Sequence, residues 1–214
     1  MKKYVLSIPA RGYENPPCQD RELHDLHFRD FVQMLLCLAW SIDFLEPYLW
    51  SDIPEIARAA EIHDVGKLAL PAEVINKSGR LTHEEKSVVK THTVLGPMLI
   101  ERAVQNLKYE PACQYALEIA RHHHERIDGR GYPDRLFGAE IPRYVQVVSL
   151  ADAYDSLRSR RCYRASVSSE VAMKMIRQGE CGAFDPVLLD NLLLPMEGFR
   201  LLARDLSKVT DKMI

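Results

Sequence analysis

The sequence predicts an all-α protein, a compact multi-helix bundle. Apolar residues recur at three- and four-residue steps through most of the chain, the period of a helix with one buried face. Proline, glycine and Ser/Thr/Asp residues punctuate these runs where helices start and stop. Alternating, strand-like runs are weak throughout, and no internal repeat is present.

Residues 1–19 are rich in Pro and Gly and predict an N-terminal arm or cap. From Asp20 onward Leu23, Leu26, Phe31, Leu35, Leu38 and Ile42 mark a first helix, which Pro47 closes. Ser51 or Asp52 can cap a second helix with Pro54 in its first turn. That helix continues through Ile56, Ala59, Ala60 and Ile62, with Gly66 as its terminator just beyond His63-Asp64. Thr82 and Glu85 have the spacing of a capping box, so the next helix begins there and carries His92. Pro111 opens another, running through Ala116, Leu117 and Ile119 to the histidines at 122–124. The stretch Asp128-Gly129-Arg130-Gly131-Tyr132-Pro133 must be a loop, because two glycines and a proline break a helix. Pro142 starts a helix that carries Val145, Val148, Ala151 and Asp152, and shorter helices follow over 167–178, 186–194 and 196–207.

Composition narrows the function classes. With 214 residues, 47% hydrophobic and 27% charged, the chain suits one substantial core rather than two full domains. No apolar run approaches the ~18 residues of a membrane span. The basic, then apolar start from Met1 to Leu6 is broken by Pro9, Arg11 and Glu14, so a cytoplasmic protein without membrane association is expected. Five scattered cysteines without a C-x-x-C pair argue against a disulfide framework or a thiolate zinc site. A net charge of −2 argues against a DNA or RNA polymer partner, while leaving room for a local basic pocket for one small anion.

The chemistry-bearing residues are the eight histidines and the acids beside them. Imidazole nitrogen and carboxylate oxygen are the ligands preferred by Fe, Mn, Zn and similar divalent ions. An isolated His-Asp dipeptide is weak evidence, but here it lies within Ile62-His63-Asp64-Val65-Gly66-Lys67-Leu68-Ala69-Leu70-Pro71. This segment resembles the H-D-x-G-K-x-x-x-P signature of the HD superfamily of metal phosphohydrolases. Further on, His123-His124-Glu125-Arg126-Ile127-Asp128-Gly129-Arg130-Gly131-Tyr132-Pro133 is similar to the H-H-E-x-x-D-G-x-G-Y-P signature of the HD-GYP subgroup. Members of that subgroup hydrolyse cyclic di-GMP and related cyclic dinucleotides. Leu81-Thr82 with Glu84-Glu85, Lys90-Thr91-His92, Ala151-Asp152-Ala153-Tyr154-Asp155, Tyr163-Arg164 and Phe184-Asp185-Pro186 match the subgroup in order. The resemblance runs from about residue 24 to 195, within an HD-GYP-like catalytic domain over 20–214.

The resemblance implies an HD-domain bundle with a metal site at its centre. It implies metal ligation by His63, Asp64, His92, His123, His124 and Asp152, with Asp64 bridging two divalent ions. Fe or Mn suits this set best, and Zn, Ni or Mg is also compatible. A hydroxide bridging the ions would be the nucleophile. Lys67 would face the scissile phosphate or its leaving oxygen, with Asp64 and Lys67 the catalytic pair. Tyr132, Arg161 and Arg164 fall where the family contacts substrate, though Arg160 beside them leaves a solvated basic run as an alternative. Glu125 and Asp155 are placed to orient ligating imidazoles, with ordinary salt bridges the alternative.

The family takes one further histidine from its first helix. His27 fits better than His24, because Phe31, Met34 and Leu38 then continue the pattern. Members with a third metal place a glutamate four residues before that histidine. Here Leu23 precedes His27 at that distance, so two metals are expected; His24 would pair instead with Asp20. Where relatives read Thr-Ser-x-Arg-Pro-Tyr, this chain has Arg158-Ser159-Arg160-Arg161-Cys162-Tyr163, and Cys162 removes a fixed backbone φ. The short segment before the helices is expected to hold no receiver or sensory domain. The implied substrate is a cyclic dinucleotide, cleaved from cyclic di-GMP to pGpG and on to GMP. A different nucleotide substrate and an inactive receptor are the alternatives, and protein partners or a homodimer are left open.

Overall fold

The structure, a computed structural model, describes residues 28–104, 111–159, 166–193 and 195. The arm expected over 1–19, His24 and His27, Arg161 and Arg164, and the helix expected over 196–207 lie outside the described residues. Within them the α-helices are α1 (Phe28–Ser41), α2 (Ile53–Ala60), α3 (Ala72–Ile75), α4 (His83–Lys90), α5 (His92–Val104), α6 (Pro111–His122), α7 (Arg143–Arg158) and α8 (Ser169–Arg177). A further helix, α9, spans 186–193. Short 3-10 turns lie at Pro47–Asp52, Val65–Ala69 and Gly138–Glu140. No strand forms among the described residues; a single bridge pairs Asp128 with Phe137.

α7 is the axis of the bundle. Tyr144, Val145, Gln146, Val147, Val148, Ser149, Leu150, Ala151, Ala153, Tyr154 and Leu157 are buried around its whole circumference. A helix buried on every side belongs in the interior rather than at the surface, here with Gln146 and Ser149 among its buried residues. α1, α6 and α8 pack against it, while α2 packs on α1 and α6. Each such buried aliphatic side chain contributes about 1.5–3 kcal/mol. Leu150, fully buried, marks a position where truncation to Ala costs about 2–5 kcal/mol.

Several element boundaries differ from the sequence reading. α1 ends at Ser41 rather than running to Pro47. Asp43 takes a left-handed φ of 55° and Phe44 N–H bonds back to Ala39 O at 2.9 Å, so Phe44 and Leu45 tuck into the core. Pro47 opens the following 3-10 turn. Asp52 occupies the cap position of α2 without a side-chain cap bond; its Oδ2 instead accepts the Tyr115 hydroxyl at 2.5 Å, tying α2 to α6. α2 stops at Ala60, and Gly66 is not its terminator.

The Thr82 capping box forms as predicted, with Glu85 N–H donating to Thr82 Oγ1 and Thr82 N–H to Glu85 Oε2. That helix, however, ends at Lys90 and does not carry His92. Thr91 donates both its N–H (3.1 Å) and its hydroxyl (2.7 Å) to Val88 O, tightening the turn and competing with the helical ladder. A new helix, α5, therefore begins at His92. The predicted helices over 167–178 and 186–194 are found as α8, capped by Ser168 Oγ, and α9.

Candidate metal centre

His63, His92 and His123 present their rings in one way. Each Nδ1 lies against a backbone carbonyl of the preceding turn: His63 to Ala60 O (2.7 Å), His92 to Val89 O (2.7 Å) and His123 to Ile119 O (2.9 Å). A carbonyl only accepts, so Nδ1 carries a proton and Nε2 faces outward, as a lone pair whenever the ring is neutral. This is the orientation metal-ligating imidazoles adopt.

The loop order of the chain brings these rings together. The 3-10 turn Val65–Ala69 packs directly on α5. A Cβ on Gly66 would sit 1.9 Å from His92 O and 2.6 Å from Gly96 N. Glycine alone therefore lets the His63-Asp64 segment approach the first turn of α5. On the other side, the loop at Gly131 also closes tightly on the His123-His124-Glu125 turn: a Cβ there would lie 2.5 Å from Glu125 Cα.

Asp64 stands between two groups of side chains able to ligate a metal. Its Oδ1 is 3.3 Å from His92 Nε2 and 3.7 Å from His123 Nε2. Its Oδ2 is 3.4 Å from His63 Nε2, which in turn is 3.6 Å from Asp152 Oδ1. Ligating atoms of Asp64, His92, His123 and His124 all lie within 4.8 Å of one another. Lys67 Nζ donates to Asp64 Oδ2. His92 and His123 are 1% and 0% exposed, so these contacts are made away from bulk water.

Electrostatics follow from this packing. Burial lowers His92 to about 4 and pushes His124 well below the usual histidine value, keeping both neutral and able to ligate. Burial also opposes a charge on His63, but the Asp152 and Asp64 carboxylates outweigh it and raise that ring to about 10. Despite their own desolvation, Asp64 and Asp152 are held far below the carboxylate range, Asp64 chiefly by His123 and His63 and Asp152 by His63. A site that draws a proton onto a buried imidazole has more negative charge than its own cations balance. Asp64 Oδ1 is buried and accepts no hydrogen bond. An orphaned carboxylate oxygen facing imidazole lone pairs fits a divalent cation, and the donor set of nitrogen and oxygen suits Fe, Mn or Zn.

The remaining predicted residues divide. Tyr132, whose peptide to Pro133 is cis, stacks on His124 with centroids 4.8 Å apart. Glu125 does not orient an imidazole. Its carboxylate accepts the backbone N–H groups of Asp134 (2.7 Å), Arg135 (3.0 Å) and Leu136 (3.1 Å), so it folds the loop that follows Tyr132-Pro133. Asp155 Oδ2 accepts the Ser159 hydroxyl at 3.2 Å at the end of α7. His122 turns away from the cluster to Asp134, which Arg121 also grips through two nitrogens.

Two residues beside the centre had no role assigned from the sequence, Lys90 being quoted there only within its motif. Lys90 places its ammonium 4.9 Å from the Tyr132 ring centroid, and Phe28 packs its ring 5.1 Å from His63. Lys90 lies two residues before His92, and the helix break at Thr91 that aims it had no signal beyond a threonine.

A helical bundle whose turns and helix ends gather Asp64, His92, His123 and His124, with His63 and Asp152 beside them, has a metal-binding centre of the His-Asp class. The chain belongs to the HD domain family, which it matches over residues 48–188. It is 37% identical over 161 residues to a protein of Vibrio cholerae named a probable cyclic di-GMP phosphodiesterase, covering 73% of this chain and 36% of that one. It is 34% identical over 143 residues to another Vibrio cholerae protein, a 3'3'-cGAMP-specific phosphodiesterase, covering 67% of this chain and 26% of the relative. The chain thus spans about a third of the length of these relatives. Its fold is similar to that of a solved HDG"Y"P protein from Bdellovibrio bacteriovorus, with a TM-score of 0.57 and 21% identity over 80% of this chain and 52% of the other. No described helix is long and apolar enough to cross a membrane.

Proposed function

We propose that the chain is a metal-dependent phosphodiesterase that opens cyclic di-GMP to linear pGpG. The observation that carries this reading is the division of Asp64: Oδ1 faces His92 and His123, and Oδ2 faces His63, beyond which lies Asp152. That division suits two divalent ions, Fe or Mn, which His63, Asp64, His92, His123, His124 and Asp152 would hold. Such ions lower the pKa of a bound water and polarise a phosphodiester oxygen.

The chain's own groups do the rest. The Nδ1–carbonyl bonds of His63, His92 and His123 fix their rings so that no reorganisation is needed when substrate arrives. Lys67, tethered to Asp64 Oδ2, holds a positive charge beside the reacting phosphate and balances the 3'-oxygen as its bond to phosphorus breaks. Water supplies the hydroxyl gained by phosphorus and the proton gained by the departing 3'-oxygen. Tyr132, stacked on His124 with the Lys90 ammonium over its ring, helps set a cation at the rim of the centre, suited to a substrate phosphate.

The 3'3'-cGAMP-specific relative favours a second reading, in which a hybrid cyclic dinucleotide is the preferred substrate. Incubation of the Mn- or Fe-loaded protein with each cyclic dinucleotide, followed by chromatographic identification of products, tests both. Conversion of cyclic di-GMP to pGpG at a higher kcat/KM than the hybrid supports the first, and the reverse order supports the second. Tight binding of cyclic di-GMP without turnover with either metal would make the chain a receptor and overturn the proposal.

A further inference from the structure

Arg126 occupies a place the proposed chemistry does not use. Its partly buried guanidinium pairs with no carboxylate among the described residues. Its Nε donates to Cys181 O at 2.8 Å. Its Nη1 shares two N–H groups among Glu125 O (2.7 Å), His123 O (3.2 Å) and the Ser149 hydroxyl (2.7 Å). The Phe184 ring lies 4.6 Å from Cζ, closing the group on the side of the 181–184 loop, and Ile127 N–H bonds Ala183 O at 3.3 Å.

The acceptors belong to three separate segments. His123 carries a ligand of the centre. Ser149 lies one helical turn before Asp152, on the same side of α7. Cys181 and Phe184 belong to the loop that enters α9. Withdrawing a cation from water is costly, and ordinary stability would be served as well by an apolar side chain of similar size. A guanidinium, with donors in a rigid planar fork, can instead hold several oxygens at fixed mutual positions.

We infer that Arg126 is a positioning residue for the metal centre, locking the His123-His124 turn to the Asp152 segment of α7 through Ser149, with Phe184 as its backing. It fixes the separation of ligands supplied from α7 and from the end of α6. The inference rests on the metal-centre reading and does not depend on the substrate. It also gives the Phe184 end of the Phe184-Asp185-Pro186 motif a task, remote from the reacting atoms.

Ser149→Ala is the deciding variant, because it removes only the link to α7 and leaves the three carbonyls their donor; Arg126→Lys removes the planar fork. Mn²⁺ affinity of the full chain is measured by competition with a fluorescent chelator, beside circular dichroism and Tm of the metal-free proteins. Expected for Ser149→Ala is a metal-free protein folded like the parent, Mn²⁺ affinity at least about 10-fold weaker, and a fall in kcat with KM unchanged. Arg126→Lys is expected to lose at least as much. Parent-like Mn²⁺ affinity in Ser149→Ala would overturn the inference alone, whereas a parent chain that binds no Mn²⁺ would overturn the metal centre as well.

Discussion

His92 Nε2 and His123 Nε2 lie 3.3 Å apart, although both rings direct their Nδ1–H to backbone carbonyls. In their neutral forms two lone pairs then face each other, with Asp64 Oδ1 on the same point. Each group repels the next until a cation joins them. A binding pocket for a neutral ligand would place a donor among these three acceptors; the cationic groups beside Asp64, Lys67 and the protonated His63, both lie on its opposite oxygen.

Asp64→Ala is therefore expected to remove metal and activity together. Elemental analysis of the purified variant should find less than about a tenth of the parent's metal, and turnover should fall by at least roughly 1,000-fold. Retained turnover would contradict the arrangement of ligands described above.

Chelation should destabilise the folded chain. An ion at about 100 times its dissociation constant stabilises by about 2.7 kcal/mol. For a chain of this size that corresponds to a Tm shift of roughly 5–10 °C. Thermal unfolding with and without EDTA, followed by Mn²⁺ addition, measures the effect and its recovery.

Gly66→Ala tests whether the approach to α5 sets the site. The added Cβ meets His92 O at 1.9 Å, a backbone atom that cannot rotate away. The turn and α5 must separate, at a cost of about 3 kcal/mol. Loss of metal should accompany the fall in Tm, since His63, Asp64 and His92 move with the two segments. Full metal content in a destabilised Gly66→Ala protein would show that the ligands tolerate the displacement.

Lys67→Met separates charge from ligation. Methionine keeps much of the stem but cannot face developing charge. The variant is expected to retain metal and lose roughly 100-fold in kcat. A change confined to KM would place Lys67 in uniform substrate binding instead.

Acid stability should report the α4 cap. Lys77 first, then the Thr82 N–H, hold Glu85 below its ordinary value of 4.5. A depressed folded pKa means that the contribution is present above 4.5 and disappears as pH falls through the lower folded value. The Tm difference between the parent and Glu85→Gln should accordingly be present at neutral pH and close on acidification. A difference that persists in acid would assign the effect to packing.

Local signals in the sequence determined the helical class, the Thr82–Glu85 cap and the loop at Asp128–Pro133. These depend on residues within one or two turns of one another, where propensity, capping and motif spacing act directly. The tertiary structure alone decided that Thr91 divides one expected helix into two, and that Gly66 is a contact point rather than a helix stop. It likewise assigned Glu125 to three backbone amides instead of an imidazole, and Arg126 to the junction of three segments. Those outcomes depend on which backbone approaches which, across long stretches of chain. Periodicity records that a side chain is buried, but not whose carbonyl lies beside it, and at this centre the neighbouring carbonyls are what aim His63, His92 and His123 at Asp64.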